Sequence, residues 1–137
     1  MSKKFQLSLL LILIFNLFGC VSGTTNSSPK FSEDFGKVTD EIKNLSNSES
    51  VAFVDRATMN WNNEIVEREL RIDLIKPKQF PESKNFKDII LAIKPKLIDS
   101  SKFTKYTINE VEGQHGQTIV FPAEKILKSV SINVEDL

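Results

Sequence analysis

Residues 51–75 read VAFVDRATMNWNNEIVERELRIDLI, and this stretch decides the fold. Side chains alternate between apolar and polar on both sides of Asn62-Asn63, and asparagine tolerates the positive φ angles of a tight turn. The pattern predicts two antiparallel strands, 51–61 and 64–75, joined by a two-residue turn. In this register one face collects the apolar side chains of Val51, Phe53, Ala57, Met59, Val66, Leu70, Ile72 and Leu74. A slip of one residue would mix the two faces, so the pattern supports the register.

Three residues of this hairpin are candidate binding residues. Asp55 and Arg68 interrupt the apolar face and lie diagonally across the two strands, so we expect them to form an ion pair. The alternative for this pair is a polar spot in a binding groove. Trp61 lies at the predicted tip, where an exposed aromatic side chain can anchor an interface; its alternative is packing at the sheet edge. On the opposite, solvated face, Arg56 is predicted to lie opposite Glu69.

Helical periodicity lies on both sides of the hairpin. Before it, with Ser32 predicted as the N-cap, steps of three and four residues join Phe31, Phe35, Val38, Ile42 and Leu45. After a loop at 76–85, Asn85 is predicted to cap a second helix with an apolar stripe of Phe86, Ile89, Ile90, Ile93 and Leu97. Pro95 disfavours helical geometry at the residue before it, so this helix is predicted to end or kink there.

The pattern of the remaining quarter of the chain predicts further strands. Alternation indicates a strand at 102–112, a turn at 113–116, a strand at 117–121 and a short strand at 130–134, and 122–128 suits one helical turn. The predicted fold class is α+β: a mostly antiparallel sheet of four to five strands with two helices on one face, in the order α-β-β-α-β-β-β. This order resembles that of the small BON domains of the bacterial envelope, and no motif extends the resemblance to function.

The first twenty residues have the layout of a secretory signal peptide. Lys3 and Lys4 precede an uncharged, largely apolar run at 5–18, which is shorter than the about 20 residues that a membrane-spanning helix needs. Leu17-Phe18-Gly19-Cys20 resembles the lipobox of bacterial lipoproteins, although Phe18 is bulkier than the usual residue. The resemblance implies a diacylglycerol on the Cys20 sulfur, cleavage before Cys20 and acylation of the new amino terminus. Val21, rather than aspartate, implies sorting to the outer membrane, facing the periplasm, in a Gram-negative host.

These features predict the organisation of the whole chain. Residues 1–19 are predicted to be a signal peptide, 20–30 a lipidated amino terminus with a flexible tether, and 31–137 a single α+β domain. Removing 19 of the 137 residues leaves 118, a single-domain length. Cys20 is the only cysteine, so acylation leaves no thiol for a disulfide.

Charge and residue types argue against several functions. The chain has 18 basic and 18 acidic residues, without the strong positive field that nucleic-acid binding requires. A hydrolase triad needs a base, and the only histidine, His115, lies in a predicted turn. Glu110, Glu112 and His115 are a conceivable metal set, but such a grouping is common by chance, and we predict no metal site or cofactor. The carboxylates available for glycan chemistry are Asp55, Glu64, Glu67 and Glu69, and Glu67 and Glu69 suit a solvated strand face.

The sequence therefore predicts a membrane-anchored envelope lipoprotein that is not an enzyme. Its domain is predicted to bind an envelope protein, as an accessory, assembly or inhibitor-type module. Two alternatives stay open: a cell-wall glycan-binding or carboxylate-dependent glycan-acting protein, and a structural or stress-related surface lipoprotein. The identity of the partner and the oligomeric state do not follow from the sequence.

Overall fold

The computed structural model describes residues 23–75, 77–81, 83–112 and 125–137. These residues form an α+β fold, as predicted, in which helices pack on one face of a five-stranded sheet. The strands are β1 Gly23–Ser27, β2 Ser50–Met59, β3 Ile65–Ile75, β4 Lys105–Val111 and β5 Ile126–Asn133. The helices are α1 Phe35–Ser46 and α2 Ser83–Ile93, and short 3₁₀ turns span Lys94–Lys96, Ser100–Lys102 and Val134–Asp136. No helix within the described ranges is long and apolar enough to span a bilayer.

The strands are arranged in the sheet in the order in which they occur in the chain. Neighbouring strands are antiparallel except for β3 and β4, which are parallel. A parallel pair needs a crossover connection, and α2 lies within the segment that joins these two strands.

The described elements follow the order β-α-β-β-α-β-β, because β1 precedes α1 and the strand predicted at 117–121 lies outside the described residues. Residues 126–128, predicted as part of a helical turn, belong to β5 instead, where Ile126 and Lys128 pair with β4.

The register of the β2–β3 hairpin is confirmed over most of its length, from Val51 opposite Leu74 to Ala57 opposite Arg68. The tip differs from the prediction, because Met59 pairs with Ile65 and the register shifts by one residue.

The two-residue turn predicted at Asn62-Asn63 is wrong. The Asn60 N–H donates to the Glu64 carbonyl at 2.9 Å, which leaves a loop of three residues, 61–63. The side-chain oxygen of Asn60 accepts from the Asn62 and Glu64 N–H groups at 3.0 Å each and stabilises this longer loop. Asn63 takes the left-handed conformation with φ of 61°, as three-residue hairpin loops require.

The predicted tether contains an ordered strand. Residues 20–30 were expected to be flexible, whereas Gly23–Ser27 form β1 along the edge of the sheet. The strand pairs with β2 from Gly23 opposite Met59 to Ser27 opposite Asp55. Backbone hydrogen bonds to the exposed edge of β2 stabilise this Thr-rich segment, although it contributes no large apolar side chain. Residues 1–22, with the predicted signal peptide and Cys20, lie outside the described residues.

The first helix begins later than predicted. Asp34, not Ser32, is its N-cap, and its side chain accepts a hydrogen bond from the Lys37 N–H at 3.2 Å. The Ser32 hydroxyl, which was predicted to cap the helix, instead donates to the Lys96 carbonyl at 3.1 Å in a tertiary contact. Asn47 ends the helix in the left-handed conformation.

The second helix, in contrast, begins earlier than predicted, at Ser83 and not after Asn85. It ends at Ile93, and Pro95 lies in the following 3₁₀ turn, which confirms the predicted stop.

The main core lies between the two helices and the sheet. Its largest fully buried side chains belong to alternate strand positions and to one stripe of each helix: Val38, Ile42, Phe53, Leu70, Ile72, Leu74, Phe86, Ile89, Ile90, Ile93, Tyr106 and Ile108. Phe31 precedes α1, and its ring packs edge-on against Phe53 with 5.2 Å between centroids. Leu45, predicted on the buried stripe of the first helix, is 48% exposed at the end of α1.

Candidate functional site

Asp55 and Arg68 form the predicted ion pair on the helix-covered face of the sheet. Arg68 Nε donates to Asp55 Oδ1 at 2.9 Å, and Arg68 Nη2 donates to Asp55 Oδ2 at 2.5 Å. The Asp55 side chain is 7% exposed and that of Arg68 is 23% exposed. The Arg68 guanidinium also lies 4.9 Å from the ring centroid of Phe103, close enough for a cation–π interaction. These contacts explain how two charged residues fit at the margin of an apolar face.

A pocket of about 240 Å³ opens beside this pair. The end of β1 and the residues after it form one wall, with Ser27 and Lys30. The segment after α2 also lines the pocket, with Asp99, Lys102 and Phe103. Asp99 takes the left-handed conformation with φ of 63°, and this turn leads into the 3₁₀ segment that carries Lys102. The sequence pattern gave no signal for this part of the pocket lining, because these residues belong to no regular strand or long helix.

The charges that line the pocket favour an anionic or strongly polar ligand. Arg68 and Lys102 each pair with a carboxylate, and the Lys102–Asp99 pair spans 3.1 Å. Lys30 is exposed and, within the described part of the chain, has no carboxylate at ion-pair distance. Its ammonium group therefore has hydrogen-bond donors to offer a ligand in the pocket.

The ion pair also limits the chemistry of the pocket. The hydrogen bonding that Arg68 donates to Asp55 outweighs the opposing effect of burial and raises the pKa of Arg68 above its usual value. Arg68 is therefore a permanent cation that holds both oxygens of Asp55. A carboxylate held in this way is poorly placed to accept a proton from a substrate. The geometry suits binding better than acid–base catalysis.

Trp61 lies apart from the pocket. It is 76% exposed at the tip of the β2–β3 hairpin, so the alternative of packing at the sheet edge is wrong. Four residue steps, roughly 13 Å, separate Asp55 from Met59 at the tip end of β2. The structure therefore brings Asp55 and Arg68 together, and it places Trp61 at one end of the sheet.

Two further carboxylates that the sequence offered for glycan chemistry, Glu67 and Glu69, do not converge with Asp55. Glu67 and Glu69 lie opposite Thr58 and Arg56, on the face of the sheet away from Asp55. The predicted Arg56–Glu69 register is confirmed, although Glu69 is buried and not solvated.

The conceivable metal set of Glu110, Glu112 and His115, which we did not predict to be a site, is only partly described. Glu110 lies 3.6 Å from Lys128, and Glu112 lies 3.6 Å from Lys125, each as an ion pair. His115 lies outside the described residues. Within the described ranges, no group of three or more histidine, cysteine, aspartate or glutamate side chains is placed to hold a metal ion.

A buried polar cluster on the second face of the sheet was missed by the sequence analysis. Asp73 is fully buried, and Oδ1 accepts from Arg71 Nε at 2.7 Å and from Asn109 Nδ2 at 2.8 Å. Its Oδ2 accepts from Arg71 Nη2 at 2.9 Å. By strand alternation Arg71 and Asp73 share the face of Arg56 and Glu69, which was predicted to be solvated. Three apolar residues on that same face, all buried, were the available signal: Val54, Ile75 and Val111.

No protein-family model, no curated protein and no solved structure matches the chain.

Proposed function

We propose that this protein is a lipid-anchored lipoprotein of the bacterial envelope whose domain binds an envelope protein and is not an enzyme. The observation that carries the proposal is Leu17-Phe18-Gly19-Cys20 at the end of an apolar run that follows Lys3 and Lys4. Cys20 is the only cysteine of the chain, at the position where the motif requires one. Two or more acyl chains on this residue would provide stable anchoring.

The position of β1 supports close attachment to the membrane. The strand begins at Gly23, so Val21 and Ser22 alone separate it from the proposed lipidation site. Three residue steps reach at most about 11 Å. The domain would therefore lie directly on the membrane surface, and its partner would be a membrane protein or a protein held at that surface. In a Gram-negative host this surface would be the periplasmic side of the outer membrane.

The pocket beside Asp55 and Arg68 is the proposed partner-binding site. Lys30 offers a cation without a carboxylate partner among the described residues, and the paired Arg68 and Lys102 line the same space. An acidic side chain or a carboxyl terminus of the partner fits this charge distribution.

Lipid labelling in the native host tests the anchor. We expect incorporation of a palmitate analogue into the wild-type protein and none into Cys20→Ser. Ser22→Ala is the matched control, because it changes a neighbouring small residue and should keep the label. A wild-type protein without label would contradict the proposal.

Site-specific photo-cross-linking in intact cells tests the pocket. A photoreactive residue at position 28, which lines the pocket and leaves the Lys30 ammonium group in place, should give one discrete cross-linked product, and this product should be lost when Lys102 is changed to Glu. The control carries the same group at Lys43, which is exposed on α1 outside the pocket lining. Equal cross-linking from both positions would contradict a partner site in the pocket.

A further inference from the structure

We propose that the tip of the β2–β3 hairpin inserts into the lipid interface as a second membrane contact beside the acylated amino terminus. The contact surface, named here the tip patch, consists of Trp61, Ile65 and Val66. This inference rests on the proposed function, since it takes Cys20 to be the lipid-bearing residue.

The tip patch presents large apolar side chains to the surroundings. Trp61 is 76% exposed, Ile65 is 58% exposed and Val66 is 60% exposed. The one-residue register shift at the tip is a β-bulge and explains the exposure of Ile65 and Val66. Ile65 pairs with Met59, and Val66 is left out of the ladder. Tryptophan is enriched at membrane–water interfaces, where its apolar ring and its polar N–H are both accommodated.

The strand register places the tip patch at the same end of the sheet as the proposed anchor. Gly23, the first residue of β1, lies directly opposite Met59, the last residue of β2 before the tip. Cys20 precedes Gly23 by three residues, a reach of at most about 11 Å. Acyl chains at Cys20 would therefore hold this end of the sheet against the bilayer. From there β1 runs away from the membrane toward Ser27 and the pocket.

The charge of the tip indicates which membrane feature is recognised. Residues 60–66 contain a single charged side chain, Glu64, whose carboxylate accepts a hydrogen bond from Asn60 at 2.9 Å. A segment with one negative charge gains nothing from anionic headgroups. The patch therefore fits the apolar–polar boundary of a neutral bilayer, and its insertion should not depend on salt.

Fluorescence provides a direct test, because Trp61 is the only tryptophan of the chain. The purified acylated protein is reconstituted into phosphatidylcholine vesicles that contain lipids brominated on the acyl chain. We expect strong quenching of Trp61 by the brominated lipid, protection from iodide, and the same result at low and high salt.

The matched control moves the tryptophan to the other end of the sheet, in the double variant Trp61→Phe and Leu45→Trp. Leu45 is also a half-exposed apolar residue. It lies in the last turn of α1, shortly before β2 begins, and the length of β2 puts the start of that strand roughly 30 Å from the tip. Its fluorescence should be quenched by iodide and not by the brominated lipid.

The outcomes separate this inference from the proposed function. Protein that fails to float with the vesicles would contradict the acyl anchor itself. Protein that floats while Trp61 stays open to iodide would leave the anchor intact and overturn the tip contact. Shielding of Trp61 only after an envelope protein is added would also overturn it, since the tip would then be a protein-docking surface.

Discussion

The guanidinium of Arg68 on β3 holds both carboxylate oxygens of Asp55 on β2, at 2.9 and 2.5 Å. The pair lies where the apolar face of the sheet meets the pocket, and Phe103 stacks against the arginine. Each charge is stabilised mainly by the other, because the carboxylate is almost fully removed from water. The pair thus links the stability of the fold to the shape of the pocket.

The first prediction concerns this pair. Asp55→Ala should lower the free energy of unfolding by about 2–4 kcal/mol, because Arg68 keeps its charge and loses its partner. The double variant Asp55→Ala and Arg68→Met should lose clearly less than the sum of the two single changes. Urea denaturation followed by far-UV circular dichroism gives these values. Lys102→Ala, at an exposed pair, is the control and should change stability by less than about 1 kcal/mol. Additive losses would contradict the coupling.

The second prediction concerns the polar cluster on the other face. Asp73→Ala should cost about 3–5 kcal/mol, because it leaves the largely buried cation of Arg71 without its carboxylate. Asn109→Ala should cost less, since the Arg71–Asp73 pair remains. The same denaturation experiment applies, and a loss below about 1 kcal/mol for Asp73→Ala would show that the cluster contributes little.

The third prediction concerns pH. Burial raises the pKa of Tyr106, and its hydroxyl has no hydrogen-bond partner among the described residues. A raised pKa means that the folded state favours the neutral phenol of Tyr106. Burial of the neutral phenol contributes fully to stability below pH of about 10, and this contribution is lost as the pH rises further.

Tyr106→Phe should therefore leave stability at neutral pH unchanged or slightly higher, and should reduce the loss above pH of about 10. Melting temperatures of both proteins between neutral and alkaline pH test this. Tyr106 is the only tyrosine, so absorbance of the phenolate also reports its pKa directly. Equal alkaline losses in both proteins, or an ordinary pKa, would refute the prediction.

The fourth prediction distinguishes the observed helix cap from the one that the sequence suggested. Asp34→Ala should destabilise the protein by about 1 kcal/mol, because the Lys37 N–H loses its acceptor. Ser32→Ala removes one exposed hydrogen bond to the Lys96 carbonyl and should cost less. The reverse order in thermal melts would place the cap at Ser32.

The hairpin shows how far local pattern determines structure. The alternation from Val51 to Leu74 fixed the register, because a slip would expose the apolar face. The pattern did not predict the tip, where the side-chain oxygen of Asn60 stabilises a longer loop than Asn62-Asn63 suggested. Such local side-chain to backbone hydrogen bonds compete with the shortest turn and have no periodic signature.

The candidate site, like the hairpin, could be predicted from the sequence only in part. The ion pair was predictable, since Asp55 and Arg68 break one apolar face at diagonal positions. The positions of Lys30 and Asp99 in the pocket were not predictable. Lys30 is brought there by the pairing of β1 with β2, and Asp99 by an irregular turn. Strand β1 itself lacks an apolar pattern, and only the free edge of β2 shows why it forms. The buried Asp73 likewise depends on whether the second face is covered, which alternation alone does not reveal.

Mass spectrometry of the protein purified from its native host tests the central claim most directly. After tryptic digestion, the account predicts an amino-terminal peptide that begins at Cys20, ends at Lys30 and carries a diacylglyceryl group with a further acyl chain. A peptide that extends upstream of residue 20, or one with a free thiol at Cys20, would contradict it.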